Sequence, residues 1–302
     1  MSNSISHLPN NSPSSHHPKS DSSFKQGIVD AHAHFWDLSR LEYPWLDEVP
    51  AIKRDYFPKD YTDQIKDIPV AEIVFVQSDC ASEQSLKEVE FVSRLALQET
   101  RIKGIVAHNP IDNIHRAIKE LDILKTNPLV KGIRCMFKDS GRFLSSHAID
   151  VLKILPSYNY PFDICIQFND LPNIIKMIEQ CPDTCFIIDH LAKPVIDESR
   201  FEEFQQEMDV LASFPNVFAK ITGLITEAGP HWSTEQLKPY ITYAIEAFGH
   251  HRLMFGSNWP VLLLNGTFNN WYEMVDSFMH SYSDDERSQL FRKTAEVVYR
   301  LK

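Results

Sequence analysis

Short apolar runs alternate with longer segments of helical periodicity along the chain from residue 27 onward. The runs are rich in Val, Ile and Phe and have strand length, while in segments such as 83–100 apolar residues recur at helical spacing between charges. Strands are predicted over residues 28–36, 72–78, 102–109, 130–137, 162–168, 185–191, 217–224 and 253–260. Helices are predicted over 83–100, 111–124, 146–156, 170–180, 198–213, 234–249 and either 268–279 or 284–301.

The order of these elements predicts the fold. Strands that alternate with helices pair in parallel through right-handed crossovers. Eight such units in a chain of 302 residues favour a closed (β/α)8 TIM barrel, and the first strand lacks the GxGxxG turn of a dinucleotide-binding sheet. We therefore expect one barrel domain over residues 27–302, with an open doubly wound α/β sheet as the alternative.

Residues 1–26 differ from the rest of the chain in composition. They are rich in Ser, Asn, Pro and His and almost free of aliphatic residues. Such a segment cannot bury enough apolar surface to offset the entropy cost of ordering, so we expect a disordered tail. The adjacent His16 and His17 are expected to be solvated rather than to bind a metal.

Charge and cysteine content narrow the function classes. A net charge of −11 and a pI of about 5.6 disfavour nucleic acid and membrane surfaces as partners. The sequence shows no apolar run of transmembrane length and no secretory signal. Its five cysteines form no CxxC pair and lie among apolar residues, which is typical of reduced thiols in a cytoplasmic protein. A homodimer through aromatic residues of segment 41–61 stays open.

Polar residues stand at the carboxyl ends of the predicted strands, where barrel enzymes carry their chemistry. Buried polar groups cost free energy unless they are partnered, so the convergence of this many polar ends indicates a functional site. The residues are His32, His34, Gln77, Asp79, His108, Arg134, Gln167, His190, Lys220, Thr222, Ser257 and Asn258.

The pair His32 and His34 has a spacing that suits two nitrogen ligands on one metal, because alternate residues of a strand face the same side. The alternative is a pair of histidines satisfied within a polar strand end. His190, at the end of the sixth strand, favours the functional interpretation. By the same alternation, Asp189 is expected to face the helical layer and to support the site only indirectly.

Several other polar or aromatic residues are candidates for binding substrate. Arg134 is a cation inside an apolar strand, and such an arginine usually forms an ion pair with a carboxylate of the protein or of a ligand. Lys220 presents the same two alternatives, with the structural one favoured. Trp36 has a face that either stacks on a sugar ring or packs in the core. Gln77 and Gln167 complete the set.

Several motifs together resemble the amidohydrolase-2 family of barrel hydrolases, in particular its sugar-acid lactonases such as L-fuconolactonase and L-rhamnonolactonase. The resemblance spans almost the whole predicted barrel, and HxHFW followed by YPWL is fairly specific to this branch. The matching segments are DAHAHFWD with YPWL at 30–46, VFVQS at 74–78, KGIR at 131–134, DHLAKP at 189–194, KITGLITEA at 220–228 and AFGHHRLMFGSNWPV at 247–261.

This resemblance implies roles for individual residues. His32, His34 and His190 match the family's histidines, and Arg134 matches an arginine near the substrate. The usual strand-eight aspartate is Asn258 here, and an asparagine is a very poor base that can still orient water or donate to an oxyanion.

The cofactor that the resemblance implies depends on strands four and five. Arg134 and Gln167 stand where a two-metal site would need a bridging group and a histidine. We therefore expect either one divalent metal on His32, His34 and His190, with zinc first among candidates, or no metal.

The function expected from these residues is hydrolysis of a small-molecule sugar-acid lactone by water at the barrel mouth, with the three histidines and Asn258 as catalytic residues. Two alternatives stay open. One is a metal-dependent decarboxylase or an amidase on the same barrel. The other is a non-catalytic barrel that binds a sugar acid, which the asparagine at position 258 favours.

Overall fold

A computed structural model describes residues 27–65, 67–137 and 139–301, so the expected tail 1–26 lies outside the described residues. Within the described residues there are eight strands that form one parallel sheet in chain order. The strands are β1 Ile28–Ala33, β2 Val70–Val76, β3 Ile102–His108, β4 Val130–Arg134, β5 Phe162–Ile164, β6 Phe186–Ile188, β7 Val217–Ile221 and β8 Leu253–Phe255.

Helices follow the strands and cover the outside of the sheet. Both of the alternative final segments are helical, and the last one contains a π-helical turn at Gln289–Lys293. The helices are α1 Pro58–Ile65, α2 Ser85–Ala96, α3 Ile114–Leu124, α4 Ser146–Tyr158, α5 Leu171–Gln180, α6 Phe201–Ser213, α7 Leu224–Glu227, α8 Thr234–Phe248, α9 Phe268–Met279, α10 Asp284–Ser288 and α11 Thr294–Val298.

The sheet curls until its first and last strands meet just beyond their carboxyl ends. Ala33 bridges Trp259 in parallel. The amide of Asn258 donates to the carbonyl of His32 at 2.8 Å, and the amide of His34 donates to the carbonyl of Trp259 at 2.7 Å. The predicted (β/α)8 barrel is therefore confirmed, and the open sheet is excluded.

The inside of the barrel is a packed core of its own. Inward residues of the strands, such as Val29, Val74 and Met254, form a buried cluster that is separate from the larger one beneath the helices. Tyr299 and Leu301 from the end of the chain belong to the inner cluster, so the C-terminal segment closes the bottom of the barrel. The opposite end, at the carboxyl ends of the strands, is left for the site.

Most observed strands are shorter than predicted, because the polar residues at their ends leave the ladder. β6 stops at Ile188 and β8 at Phe255, so His190 and Asn258 lie in the loops that follow. Along the described part of the chain, no helix is both long and apolar enough to cross a membrane.

Candidate active site

A pocket of about 240 Å³ opens at the carboxyl ends of the strands. The structure brings five of the predicted polar strand-end residues to its wall, namely His34, Asp79, Arg134, His190 and Asn258. Lys193 and Glu227 also line it, and neither was singled out from the sequence. The pocket therefore combines neutral nitrogen groups, two cations and two carboxyl groups, those of Asp79 and Glu227.

The two histidines of the HxH pair both face the barrel mouth, with ring centroids 5.0 Å apart. His34 Nδ1 donates to the carbonyl oxygen of Val76 at 2.7 Å, which directs Nε2 toward the pocket. Burial, reinforced by the charge of Arg134, lowers the pKa of His34 to about 3. A side-chain hydrogen bond from Asn258 opposes this shift only in part. His34 is therefore neutral at physiological pH.

Asp189 lies at the centre of the site, and the expectation that it faces the helical layer is wrong. The residues from His190 to Lys193 all have positive φ angles, between 47° and 62°, so the alternation of a strand ends at Ile188. Asp189 and His190 therefore both point to the mouth. A left-handed run of non-glycine residues is costly, and such runs cluster at functional sites.

The Asp189 carboxylate contacts three basic side chains. Its Oδ1 lies 3.2 Å from His32 Nδ1 and 3.0 Å from Lys220 Nζ, and its Oδ2 accepts from Arg134 Nη1 at 3.1 Å. Burial by itself would raise the pKa of Asp189, but Lys220, His32 and Arg134 hold it well below its usual value. Asp189 is therefore ionised and orients His32 and Arg134 at once.

Two buried imidazole nitrogens at this site, His32 Nε2 and His190 Nδ1, have no hydrogen-bond partner among the described residues. Burial is the main reason that the pKa of each of these histidines lies well below its usual value, so both are neutral. Ligand atoms of His32, Asp189 and His190 lie within 4.8 Å of one another. Neutral nitrogens beside a carboxylate oxygen are donors that zinc accepts, so these residues fit a divalent metal.

The residues whose ligand atoms lie together are not the three histidines predicted from the sequence. His34 lies beside this cluster rather than within it, and Asp189 takes its place. Gly223 makes the close approach of His190 feasible, because a Cβ at position 223 would lie 2.5 Å from His190 Nδ1. Its φ of +71° is also one that glycine adopts without strain.

Arg134 and Lys193 give the pocket its positive charge. Arg134 is buried and also donates through Nη2 to the carbonyl of Gln77, which leaves its guanidinium fixed at the pocket wall. Glu227 lies in the same pocket, and burial raises the pKa of its carboxyl although Lys193 opposes the shift. A raised pKa means that this carboxyl holds a proton more readily than an exposed glutamate does.

The remaining predicted substrate-binding residues are placed elsewhere. Trp36 is fully buried among aromatic rings, with Nε1 donating to the carbonyl of Arg54 at 2.6 Å. Gln77 and Lys220 are fully buried and line none of the clefts of this mouth. Gln167 is exposed and borders a neighbouring groove beside Lys193. The aromatic side chain that does reach the pocket is Trp45, the third residue of YPWL.

A second polar network lies beneath the pocket, inside the barrel. Lys220 Nζ donates to Asp163 at 2.6 Å, and the Tyr299 hydroxyl donates to the same carboxylate oxygen at 2.8 Å. Burial raises the pKa of Asp163 to about 6, although Lys220 lowers it. Lys220 thus follows the structural alternative, as a cation that joins Asp163 to Asp189.

Two pocket residues that the sequence analysis did not single out lie in motifs that it did identify. Lys193 belongs to the DHLAKP segment and Glu227 to KITGLITEA, both of which carried the family resemblance. Nothing in a single sequence indicated which polar residues of those segments face the pocket.

Comparison with known proteins gives a consistent result. The chain is 30% identical to an L-fucono-1,5-lactonase of Burkholderia ambifaria over 284 residues, which cover 90% of this chain and 95% of the relative. It is 26% identical to an L-fucono-1,5-lactonase of Burkholderia multivorans, with 90% and 96% of the two chains covered. A crystal structure of an amidohydrolase with bound zinc, also from Burkholderia multivorans, superposes with a TM-score of 0.81 at 25% identity, covering 91% of this chain and 100% of that one.

The family model described as amidohydrolase matches residues 29–301, which is nearly the whole described barrel. The match includes both histidines of the HxH pair, the Asp189 and His190 turn, and Asn258. This chain belongs to the amidohydrolase family.

Proposed function

We propose that this protein is a lactonase, a hydrolase that opens the ring of a sugar-acid lactone with water. The observation that carries the proposal is the pair of partnerless buried nitrogens on His32 and His190, next to a pocket in which Arg134 and Asn258 converge. The similarity to named L-fucono-1,5-lactonases supports a sugar-acid lactone as the substrate.

The pocket residues suggest how the carbonyl is held. The Arg134 guanidinium and the Asn258 amide are donors that can face the carbonyl oxygen, where negative charge develops when water attacks. Asparagine serves here without acting as a base, because its amide donates a hydrogen bond at any pH. Asp189 keeps Arg134 in place through the contact at 3.1 Å.

Ring opening also requires protons to move. A bond forms between the water oxygen and the carbonyl carbon, the bond from that carbon to the ring oxygen breaks, and the ring oxygen receives a proton. Glu227 is suited to give that proton, because burial raises its pKa, and the proton that the attacking water loses restores the Glu227 carboxyl. The new carboxylic acid ionises near neutral pH, so each turnover releases one proton.

The histidines are better suited to bind a metal than to act as bases. A base works best with a pKa near the working pH, whereas the pKa of His34 is about 3. His32, Asp189 and His190 would hold a zinc ion, whose Lewis acidity polarises a carbonyl and lowers the pKa of water to about 7.

Free cysteines at all five positions support a reducing, cytoplasmic location as part of the proposal.

The proposed activity can be tested by following proton release with a pH indicator on fucono-, rhamnono- and galactono-lactones. Turnover well above the spontaneous rate is expected on at least one of them. No turnover on any lactone would contradict the proposal. Binding of a sugar acid without turnover, with activity appearing in Asn258→Asp, would point to the binding barrel instead, and release of carbon dioxide from a carboxylic acid substrate would point to a decarboxylase.

The metal can be tested without an activity assay. Elemental analysis of the purified protein should find about one zinc per chain. The metal content of His190→Ala should fall well below that of the unchanged protein after identical dialysis. Equal metal content in both proteins would contradict the assignment of His190 as a ligand.

A further inference from the structure

A larger cleft of about 500 Å³ lies beside the catalytic pocket. Trp45, Asp79 and Met136 line both spaces, so these three residues form the boundary between the pocket and the cleft. We call this space the second cleft. Beyond the shared residues, its polar lining includes His108, Arg116 and Arg142.

The sizes of the two spaces indicate a ligand that occupies both. Sites for small molecules usually measure roughly 300–1,000 Å³. The catalytic pocket, at about 240 Å³, lies below that range, whereas the second cleft alone lies within it. A lactone ring seated against His190 would therefore fill the smaller space and leave the larger one for a substituent.

Both arginines of the second cleft are already paired with carboxylates. Arg142 Nη2 contacts Asp112 at 2.5 Å, and Arg116 Nε contacts Glu120 at 2.7 Å. Glu48 also lines the cleft and adds negative charge. A phosphate or a second carboxylate would need cations that are not already paired. Donors and acceptors that occur together suit a neutral ligand with many hydroxyl groups.

His108 supplies an unused hydrogen-bonding atom in this cleft. Its Nε2 is buried and has no partner among the described residues. The residue ends β3 and pairs in register with Arg134 on β4, so it stands directly beside the catalytic pocket. Burial, with help from Arg116 and Arg134, lowers its pKa to about 4. A neutral imidazole nitrogen is a partner for a hydroxyl group.

Trp45 provides a fixed aromatic surface between the two spaces. Its Nε1 donates to the carbonyl of Ser78 at 2.8 Å, and its ring packs edge-on against Trp36 with centroids 5.6 Å apart. The ring is half-buried and lines both spaces. An amphipathic ring held in this way suits packing against the apolar face of a sugar.

We propose that the second cleft binds a glycosyl residue attached to the lactone, so that the preferred substrate is a lactone of disaccharide size. This inference rests on the proposed lactonase function. It adds a substrate class, the glycosyl-aldonolactones, and assigns recognition of the second sugar to Trp45, His108 and Arg142.

The test compares kcat/KM for lactobiono-1,5-lactone, which carries a galactosyl group, with kcat/KM for glucono-1,5-lactone, which is the same ring without it. We expect a preference of about tenfold or more for the larger lactone, the effect of one hydrogen bond to a charged group. Arg142→Ala, which removes an exposed cleft side chain, should reduce this preference at least fivefold. Ala81→Trp, which fills the cleft, should abolish it.

Arg94→Ala is the matched control, since Arg94 forms an exposed ion pair with Glu90 and lines neither space. It should leave the preference unchanged. Hydrolysis of glucono-1,5-lactone with no preference for the larger lactone, or a preference that survives Ala81→Trp, would overturn the inference while the lactonase function stands.

If neither lactone is hydrolysed, the fucono-, rhamnono- and galactono-lactones test the lactonase function, and binding tests the cleft separately. Isothermal titration should then show lactobionate binding more tightly than gluconate, with the difference lost in Ala81→Trp. Equal affinities for the two acids would overturn the inference.

Discussion

Two polar layers lie one above the other inside this barrel, and they differ in how their atoms are partnered. In the upper layer, at the pocket, His32 Nε2 and His190 Nδ1 have no hydrogen-bond partner among the described residues. In the lower layer, charged groups pair with one another: one oxygen of the Asp163 carboxylate accepts from both Lys220 and Tyr299.

From this difference we infer that the upper layer serves catalysis and the lower layer serves stability. A buried polar atom without a partner costs free energy, so it is retained where a ligand completes it. A buried charge with partners contributes to the folded state as long as every partner stays. Substitutions in the upper layer should therefore reduce activity far more than stability, and substitutions in the lower layer should do the reverse.

The largest effect is expected for His190→Ala in the upper layer. This change removes a proposed metal ligand, and loss of a group that takes part directly in catalysis costs about 10²- to 10⁴-fold in rate. Steady-state hydrolysis of the best lactone measures it. A loss below about tenfold would contradict the assignment.

His115→Ala is the control for that substitution, because His115 is exposed and lies at the start of α3. Its activity should match that of the unchanged protein. Urea unfolding of His190→Ala should show only a small change, since the ring nitrogen Nδ1 has no partner among the described residues to lose.

Lys220→Met is expected to give the largest loss of stability. The side chain is fully buried and joins Asp163 to Asp189, so removing its charge leaves two buried carboxylates with one cation fewer. Breaking a buried pair in this way costs about 3–5 kcal/mol in the free energy of unfolding. Lys53→Met, in an exposed pair with Asp47, should cost less than about 1 kcal/mol. Equal losses in the two variants would refute the layer comparison.

Tyr299→Phe should have a smaller effect of the same kind. It removes one hydrogen bond to Asp163 and leaves the bond from Lys220 in place. A lost hydrogen bond of this type costs about 1–2 kcal/mol. Tyr243→Phe, whose hydroxyl bonds the exposed Asp209, is the matched control and should be close to neutral. A neutral Tyr299→Phe would mean that the lower layer does not depend on the C-terminal segment.

A pH dependence of stability is expected at Glu88, a buried carboxyl outside both layers. Burial raises the pKa of Glu88 to about 8 from its ordinary value of 4.5. The folded protein therefore holds this proton more tightly than the unfolded chain, and its stability falls as the pH rises from about 4.5 to about 8.

Glu88→Gln keeps an oxygen to accept from the Ser78 amide but cannot ionise. Its melting temperature should therefore improve relative to that of the unchanged protein between pH 5 and pH 9. Parallel melting curves at both pH values would contradict the raised pKa.

The fold could be predicted from the sequence because strands of a parallel barrel are buried on both faces and appear as apolar runs. Each of the eight runs overlaps a strand, and only β2 begins before its run, at Val70. The sequence pattern predicted the carboxyl ends of β5, β6 and β8 too late in the chain, because each of these strands has only three residues. A polar residue after an apolar run can be the last residue of the strand or the first residue of the loop. The sequence pattern alone does not distinguish these two positions.

The site was predictable only in part, for reasons of backbone geometry. His34, Arg134, His190 and Asn258 reach the pocket as the strand ends indicated. Asp189 was misplaced because the left-handed run after it breaks the alternation on which the prediction rested. The choice between Trp36 and Trp45 depends on how segment 37–57 folds over the mouth, and that packing has no signature in the sequence.

The central claim is that this barrel hydrolyses a sugar-acid lactone at the His32, Asp189 and His190 cluster. The most direct test follows L-fucono-1,5-lactone by NMR at pH 7 with the unchanged protein and with His190→Ala side by side. We predict conversion to the open acid well above the spontaneous rate, and a loss of about 100-fold or more in the variant. Conversion at the spontaneous rate by the unchanged protein, or equal rates in both proteins, would contradict the account.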